Sequence, residues 1–394
     1  MDQVVASGVS DQGDAAFPYI FVFPGAYGHT VAQMDNERIH AVPLYGKGYG
    51  LAFRNKCPDF LHHQAFVLYY GLCHCVLCKI MLSTTKIRIN IAIFECFMEN
   101  LYKYTVAGHT FAVSLPDGYL EQDYLSPYLP FKESDKTASL FTLRLEESES
   151  LRSLNPGEVL ECMNDEAPYF WLFKSEGEGY PYNFGFSYTK SHPDCIVMCS
   201  ADMADNVVYV PSAYASRLAE FALSNAMMLL YTFRTHPYDT LMVHASVISH
   251  GGNAYMFLGR SGTGKSTHSR LWLENIDDSV LLNDDNPVIR MIDGEAIVYG
   301  TPWSGKTPCY KNESLPLKAV VRLSQAPYNK IAQLPPLQAY ASLMPACSCM
   351  RWDSASTGYL HKTVENVIMK VRGWHLECLP DADAAHVCHD AVTI

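Results

Sequence analysis

The sequence predicts an α+β protein in which a β-rich domain precedes a mixed domain built around a glycine-rich loop. Three observations lead to this prediction. The composition, 48% apolar and 18% charged over 394 residues, is that of a globular chain long enough for two hydrophobic cores. Short strand-like runs fill residues 103–210. The pattern G-x-x-x-x-G-K-[ST] then stands between a strand-like run and a helical pattern.

The charge distribution divides the chain near residue 97. The whole chain has 41 acidic and 29 basic side chains, a net charge of −12. Seven of each lie in residues 1–97, so the remaining 297 residues carry 34 acidic and 22 basic groups. This balance argues against a nucleic-acid-binding protein, which needs an excess of Lys and Arg to neutralise phosphate. The apolar content excludes a disordered chain.

Residues 1–97 show no regular period and are predicted to be a poorly structured extension. The apolar stretch 65–82 has the length of a membrane span, but His74 and Lys79 lie inside it. A Lys near the centre of a span is costly in a bilayer, so we expect no membrane partner. Because acidic bias and strand-like alternation begin abruptly after Met98, we hypothesise that natural translation starts at that residue.

The thirteen cysteines have irregular spacings and show no disulfide framework. Such a set is typical of reduced thiols, and no secretory signal opens the chain, so we predict a cytoplasmic protein. One cluster resembles part of a metal site and consists of Cys73, Cys75 and Cys78, with His62, His63 and His74 nearby. Incidental thiols are the favoured interpretation because no second C-x-x-C follows at the spacing of a zinc finger.

Residues 98–211 are predicted to form a mostly antiparallel, β-rich domain. Aromatic or β-branched runs such as 102–106 and 207–210 alternate with turn signals such as Pro116-Asp117-Gly118. The abundant aromatic residues are expected to fill its core.

A helix is predicted to lead from this domain into the second, which we assign to residues 212–394. Ser212 is a candidate N-cap, and Pro237 ends the helical pattern. The expected buried stripe consists of Leu218, Phe221, Ala222, Asn225, Met228, Leu229 and Phe233.

The second domain opens with strand-like runs at 241–248 and 254–258, and the glycine-rich loop follows directly. In this context the glycines let successive N–H groups face an anion, and the N-terminus of the next helix adds favourable charge. We therefore predict a site for ATP. Its residues are Gly259, Ser261, Gly262, Thr263, Gly264, Lys265, Ser266 and Thr267.

Two further parts of a nucleotide site can be assigned by chemistry. Lys265 can reach the β- and γ-phosphates, and the Ser266 hydroxyl can ligate Mg²⁺. Asp284 and Asp285 lie nineteen and twenty residues after Lys265, at the end of an apolar run. One carboxylate can bind Mg²⁺ while the other accepts a proton from an attacking hydroxyl, and adjacent strand residues need not share a role.

The Gly-x-Ser-Gly-x-Gly-Lys-Ser loop, preceded by His-Ala-Ser-Val and followed by Asn-Asp-Asp, resembles the C-terminal catalytic domain of bacterial HPr kinase/phosphorylase. ATP-dependent phosphoenolpyruvate carboxykinase shares this nucleotide-site design. The resemblance covers about residues 240–330 and implies that His244 supports the catalytic carboxylate. The match leaves the two carboxylate roles open, and we assign Asp284 as the base and Asp285 to the metal. Members of the family are often hexamers, which leaves a homo-oligomer open.

The loop at 300–308 departs from that family, because it has no matching metal-binding glutamate. It looks like the loop of a divergent, kinase-like branch. Trp303 could stack on a substrate or close over the nucleotide, and Lys306 or Lys311 could contact phosphate. A rigid turn with a packed indole is the alternative interpretation of Trp303.

The remaining residues are expected to complete the second domain. Strands are predicted at 317–323 and 375–379, helices at 336–344 and 363–371, and a further helix that starts near Asp381.

The predicted function is an ATP- and Mg²⁺-dependent kinase that transfers the γ-phosphoryl group to a hydroxyl. The expected acceptor is a serine of a protein or peptide. One alternative is a regulator that binds ATP without catalysis. The other is an enzyme that acts on a small metabolite, as a small-molecule kinase or a carboxykinase-like enzyme. The residues leave the acceptor and the preference between ATP and GTP open.

Overall fold

A computed structural model describes the backbone of four strands before residue 53 and most of the chain from residue 100 onward. The described residues are 19–25, 28–35, 38–44, 51–52, 100–134, 137–164, 167–175, 181–305 and 307–394. The chain divides into two compact units, Met1–Cys96 and Phe97–Ile394.

The first unit contains an antiparallel sheet in the order β3-β2-β1-β4. Its strands are β1 (Tyr19–Gly25), β2 (Gly28–Asp35), β3 (Arg38–Leu44) and β4 (Leu51–Ala52). The aromatic and β-branched residues of β1 favour a strand, although the surrounding sequence has no regular period. The cysteine–histidine cluster, the apolar stretch 65–82 and Met98 lie outside the described residues.

The second unit begins with an eight-stranded sheet in the order β5-β6-β7-β12-β11-β10-β9-β8. Five of its seven strand pairs are antiparallel, as predicted, and β7 pairs in parallel with β6 and β12. The short helix α1 (Glu121–Tyr124) lies between β6 and β7. The strands are β5 (Leu101–Val106), β6 (His109–Ser114), β7 (Thr142–Ser148), β8 (Glu158–Met163), β9 (Tyr169–Lys174), β10 (Tyr182–Ser187), β11 (Cys195–Cys199) and β12 (Asp205–Pro211).

Helix α2 (Ala215–Thr235) packs against this sheet. Its fully buried positions recur every three or four residues and are Ala219, Ala222, Leu223, Ala226, Met227, Leu230 and Tyr231. Of the predicted stripe only Ala222 is fully buried, and the larger apolar members pack at the margin of the contact. Alanines let the helix approach the sheet closely, which moves bulky side chains to the flanks. The helix starts after a 3-10 turn at Ser212–Tyr214, so Ser212 is not its N-cap.

A nine-stranded mixed sheet follows, in which β13, β17, β18, β19, β15, β14 and β16 are successive neighbours and β21 joins β19 to β20. β15, β19 and β21 are parallel, whereas β14 is antiparallel to both β15 and β16. The strands are β13 (Thr240–Met242), β14 (Ala245–His250), β15 (Asn253–Leu258), β16 (Val280–Asp285), β17 (Val288–Ile292), β18 (Glu295–Tyr299), β19 (Ser314–Gln325), β20 (Lys330–Gln333) and β21 (Arg372–Cys378).

Helices cover both faces of the nine-stranded sheet. The helices are α3 (Lys265–Asn275), α4 (Pro336–Leu343), α5 (Ser354–Lys370) and α6 (Ala382–Val392). α3 and α6 share one core with Tyr255 and Phe257 of β15, and α4 and α5 share the other with Met256 and Leu258. This division follows from the alternation of side chains along a strand, and it explains the continuous apolar run of β15.

The predicted helix at 363–371 is longer in the structure and starts at Ser354. Asp353 caps it, because its carboxylate accepts hydrogen bonds from the backbone N–H groups of Ala355 and Ser356. The helix expected to start near Asp381 is confirmed as α6, with Asp381 as its N-cap.

Polar contacts join the two sheets of the second unit. His109 Nε2 lies 2.9 Å from Thr240 Oγ1, and Arg290 Nη1 donates to the carbonyl oxygen of Ala107 at 2.8 Å. The next residue, Gly108, has a φ of +75°, and a Cβ there would lie 2.6 Å from Arg290 Nη1. Glycine therefore permits both the turn between β5 and β6 and the approach of Arg290.

In the described part of the chain, no helix is long and apolar enough to cross a membrane.

The eight cysteines of the described residues are free thiols, and burial raises the pKa of Cys195 to about 12. The buried thiols are therefore packing groups that resist deprotonation.

The buried histidines make folding depend on pH. His236 Nε2 donates to the carbonyl oxygen of Ser348 at 3.1 Å, and Nδ1 lies 2.8 Å from Ser356 Oγ, from which it accepts when the ring is neutral. Burial lowers the pKa of His236 to about 4, and likewise that of His109 and His268. An unfolded histidine binds its proton near pH 6.5, so the unfolded state gains more protons between about pH 6.5 and 4.

We therefore expect the free energy of unfolding to fall as the pH is lowered from about 6.5 towards 4. His236→Gln keeps a donor towards Ser348 but removes one titrating group, so its unfolding free energy should depend less steeply on pH. Urea unfolding at several pH values measures this, with the exposed His192→Asn as the control. An equal pH dependence in His236→Gln and His192→Asn would contradict the assignment.

Candidate functional site

The glycine-rich loop connects β15 to α3, as the sequence predicts. Gly262 and Gly264 have φ values of +77° and +108°, a region that favours glycine. A Cβ at Gly259 would lie 3.0 Å from the side chain of Thr263, so the loop closes tightly on itself. The first N–H groups of α3 have no partner within the helix, and this is the arrangement that binds anions.

Strand β14 brings three segments to one edge of the sheet. It runs antiparallel between β15 and β16, so its first residue, Ala245, lies opposite both Leu258 and Asp285. His244 directly precedes β14 and therefore lies beside the ends of both neighbouring strands. The order and directions of the three strands bring the loop, His244 and the acidic pair to this end of the sheet.

A chain of hydrogen bonds runs through Lys265, His244 and Asp285. Lys265 Nζ lies 2.9 Å from the carbonyl oxygen of Gly259 and 2.9 Å from His244 Nε2. An ammonium group only donates, so His244 Nε2 accepts and the ring is neutral. Its Nδ1–H then donates to Asp285 Oδ1 at 3.0 Å. The histidine thereby connects the loop cation to the acidic strand end.

Burial and charge act in opposite directions on Lys265. The side chain is half-buried, and this burial lowers its pKa. The carboxylates of Asp285 and Asp284 oppose the shift, because they stabilise the charged ammonium group. Both carboxylates therefore lie within electrostatic reach of the loop lysine.

The two carboxylates have different surroundings. Asp284 is 6% exposed and lies opposite Ser246 of β14, whereas the Asp285 side chain is 35% exposed. Asp285 Oδ2 also accepts a hydrogen bond of 2.8 Å from Asn286 Nδ2. Successive side chains of a strand point to opposite faces, which accounts for the difference.

A buried polar network fastens the loop at 300–305 to the acidic pair. Asn283 and Thr301 are both fully buried, and Asn283 Nδ2 donates to Thr301 Oγ1 at 3.1 Å. Thr301 Oγ1 donates to the carbonyl oxygen of Asn286 at 2.7 Å, and the Asn286 N–H donates to Asn283 Oδ1. Gly305 N–H also donates to the carbonyl oxygen of Asp284 at 2.8 Å. These bonds hold the backbone on which both carboxylates stand.

The Trp303 indole is buried, which matches the interpretation as a packed side chain and leaves almost none of the ring exposed for stacking. The indole is 4% exposed and belongs to the core of the eight-stranded sheet. Its ring centroids lie 5.1 Å from Tyr231, 6.0 Å from Tyr128 and 6.3 Å from Phe111. The Asn283–Thr301 network fixes the chain two residues earlier, so the indole enters the core as a packed side chain.

The other predicted residues take different places. Ser261, Gly262 and Ser266 are exposed at the loop, and Thr263, Gly264 and Thr267 are partly buried. Lys306 lies outside the described residues. Lys311 is partly buried. A Cβ atom added at Gly300 would lie only 2.2 Å from the Lys311 carbonyl oxygen, so the two backbones approach closely here.

The available oxygen donors suit Mg²⁺ bound together with a nucleotide. Ser266 offers a hydroxyl and Asp285 a carboxylate, and both are hard ligands of the kind that Mg²⁺ prefers. Among the described residues, no three His, Cys, Asp or Glu side chains form a group that could hold a metal ion. The residues therefore fit a magnesium ion that takes most of its ligands from phosphate and water.

Asn283, Asn286 and Thr301 were not identified as site residues from the sequence. Asn283 adjoins the acidic pair, and Thr301 stands in a Gly-Thr-Pro turn, which are the only local signals they have. Ser246 and Ser269 were also missed, although their hydroxyl oxygens lie 2.6 Å apart in the interior and join β14 to α3. Such pairs are separated along the sequence, so local patterns do not identify them.

Comparison with known proteins does not assign this site. No family model matches the chain, and no curated protein matches it.

The buried network gives a prediction about Thr301. Thr301→Val removes the hydroxyl that serves Asn283 Nδ2, the Asn286 carbonyl oxygen and the Trp303 N–H. Because a buried polar group without a partner costs about 1–3 kcal/mol, we expect this variant to lose about 2–4 kcal/mol of unfolding free energy.

Thr301→Ser is the matched control, since it keeps the hydroxyl and loses only a methyl group, at a cost of about 1 kcal/mol. Urea unfolding of both variants measures the difference. A Ser variant less stable than the Val variant would show that the methyl group, and not the network, matters at this position.

Proposed function

We propose that the chain is an ATP- and Mg²⁺-dependent kinase of the HPr kinase-like type. The hydrogen-bond chain from Lys265 through His244 to Asp285 is the observation that supports this most directly. It places a loop cation, an imidazole and a carboxylate at the edge where the loop and the start of α3 offer N–H groups. Phosphoryl transfer needs this combination of an anion cradle, a cation and a proton acceptor.

In the proposed reaction, the oxygen of the acceptor hydroxyl forms a bond to the γ-phosphorus of ATP. The bond from that phosphorus to the β,γ-bridging oxygen breaks, and ADP leaves with the electron pair. The hydroxyl proton passes to a carboxylate of the acidic pair. Lys265 stabilises the charge that develops on the phosphoryl oxygens, which requires its ammonium to leave His244 for the phosphates. Ser266 and Asp285 would hold Mg²⁺, which would supply charge neutralisation for the phosphates.

The different surroundings of the two carboxylates support different roles. We assign Asp284 as the base, because it is shielded from water at the strand end. We assign Asp285 to Mg²⁺, because it is more exposed and the N–H groups of His244 and Asn286 hold it in place. His244 is then a positioning residue that holds Lys265 before nucleotide binds and orients Asp285 throughout.

We propose a serine of a protein or peptide as the acceptor and the cytoplasm as the location. The free thiols of the described cysteines support a reducing compartment. The test of the acceptor is incubation of the purified full-length chain with labelled ATP, Mg²⁺ and an extract of its host. Label in a protein supports the proposal, and label in a small molecule supports the small-metabolite alternative.

Removal of the loop cation should abolish the reaction. We expect Lys265→Ala to lower the rate of phosphoryl transfer by at least about 10²-fold, since it removes charge stabilisation from the transition state. Lys330→Ala, at an exposed lysine on β20, is the matched control and should retain the wild-type rate. Unchanged activity in Lys265→Ala would refute the assignment of the loop.

The two aspartates should respond differently to substitution. We expect Asp284→Asn to reduce transfer by about 10²–10⁴-fold with nucleotide affinity retained, because it removes the base. Asp285→Asn should raise the Mg²⁺ concentration needed for half-maximal activity. The opposite pattern would exchange the roles of Asp284 and Asp285. Wild-type protein that binds ATP but transfers phosphate to no acceptor would favour the alternative function, a regulator that binds ATP without catalysis.

A further inference from the structure

A second histidine site lies at the other end of the β14–β15 hairpin. His250 ends β14 at the turn, whereas the glycine-rich loop follows the far end of β15. Six strand residues separate the two ends, a distance of about 20 Å. His389, in the last turns of α6, meets His250 at this turn. The pair is therefore separate from the proposed nucleotide site.

The two imidazoles present nitrogen atoms to each other. His250 Nε2 and His389 Nε2 lie 3.3 Å apart, and the ring planes are inclined by 79°. His389 Nδ1 lies 3.2 Å from Asp390 Oδ1, so the carboxylate accepts the proton on Nδ1 and the lone pair of Nε2 faces His250. This carboxylate–histidine arrangement is the one that orients histidine ligands of metal ions.

The other ring nitrogen of His250, Nδ1, makes no hydrogen bond among the described residues. This nitrogen is buried. Trp272 packs near both rings, with centroids 6.4 Å from His250 and 5.5 Å from His389. Without an ion, His250 Nε2–H donates directly to the lone pair of His389 Nε2, and a metal ion can replace this proton.

The nitrogen separation is compatible with tetrahedral coordination as well as with the direct hydrogen bond. With Zn–N bonds of 2.0–2.1 Å, two ligands of a tetrahedral ion lie about 3.3–3.4 Å apart. Neighbouring ligands of a square-planar ion with similar bonds lie about 2.9 Å apart. The observed 3.3 Å matches the tetrahedral value.

We propose that His250 and His389 form a binding site for Zn²⁺, with water completing the tetrahedron. Two protein ligands make a site of modest affinity, in contrast to the three or four ligands of dedicated zinc sites. Bound Zn²⁺ connects the turn between β14 and β15 to helix α6. Since α6 covers one face of the nine-stranded sheet together with α3, the ion stabilises the attachment of the C-terminal helix.

The test is the thermal unfolding of the chelator-treated full-length chain with and without Zn²⁺. At a Zn²⁺ concentration of about ten times the dissociation constant, we expect the midpoint of the wild-type chain to rise by about 2–4 °C. His250→Asn and His389→Asn should each lose this rise while they unfold cooperatively without metal. His386→Asn, at an exposed histidine one turn earlier on α6, is the matched control and should keep it.

The comparison between His386→Asn and His389→Asn also removes the contribution of other ligands in the chain. Zn²⁺ bound by the cysteines near residue 75 shifts every variant equally. A rise in His389→Asn as large as that in His386→Asn overturns the proposal, as does a wild-type midpoint that Zn²⁺ leaves unchanged. A loss confined to His250→Asn and His389→Asn supports it, whatever the outcome of the kinase assays.

Discussion

The direction of β14 is the constraint on which the candidate site depends. Because β14 is antiparallel to both β15 and β16, its start lies beside both of their ends. The glycine-rich loop, His244 and the acidic pair are thereby brought to one edge, although they are far apart in the sequence. Lys265 and Asp285 can then share one imidazole, with distances of 2.9 and 3.0 Å. A parallel β14 would place His244 at the opposite end of the sheet.

The β-rich sheet supports this site through a shared core. Trp303 lies in the loop that the Asn283–Thr301 network holds, and its indole packs on aromatic side chains of the eight-stranded sheet and α2. Met242 and Val288, from β13 and β17, belong to the same core. The two sheets of the second unit therefore do not pack as independent bodies at this point. The position of the acidic pair depends on packing in the β-rich sheet as well as on its own strand.

Buried polar groups in this unit work as neutral connectors. His236, His109 and His268 have pKa values near 4 because burial disfavours their charged forms. His244 is more exposed, and it accepts from the Lys265 ammonium group and donates to the Asp285 carboxylate. The charged side chains that meet at His244 are Lys265 and Asp285, on a chain whose net charge is −12.

Local pattern was sufficient for elements whose signals lie within a few residues. The strand–loop–helix context of the glycine-rich loop, the antiparallel character of residues 98–211 and the start of α6 at Asp381 could be predicted in this way. The buried stripe of α2 and the start of α5 differ from the predictions. On α2, alanines pack against the sheet and the larger predicted residues lie at the margin of the contact. Helix α5 starts earlier than predicted because Asp353 caps its polar first turn.

The sequence by itself determined which residue types could bind phosphate and accept a proton, because those depend on side-chain chemistry and short spacing. Only the tertiary structure decided that His244 contacts Asp285, that Trp303 is buried and that Thr301 holds the acidic strand end. The same is true of the encounter between His250 and His389. Each of these contacts joins residues from different strands or helices, and their distances follow from strand order and core packing, which no local pattern encodes.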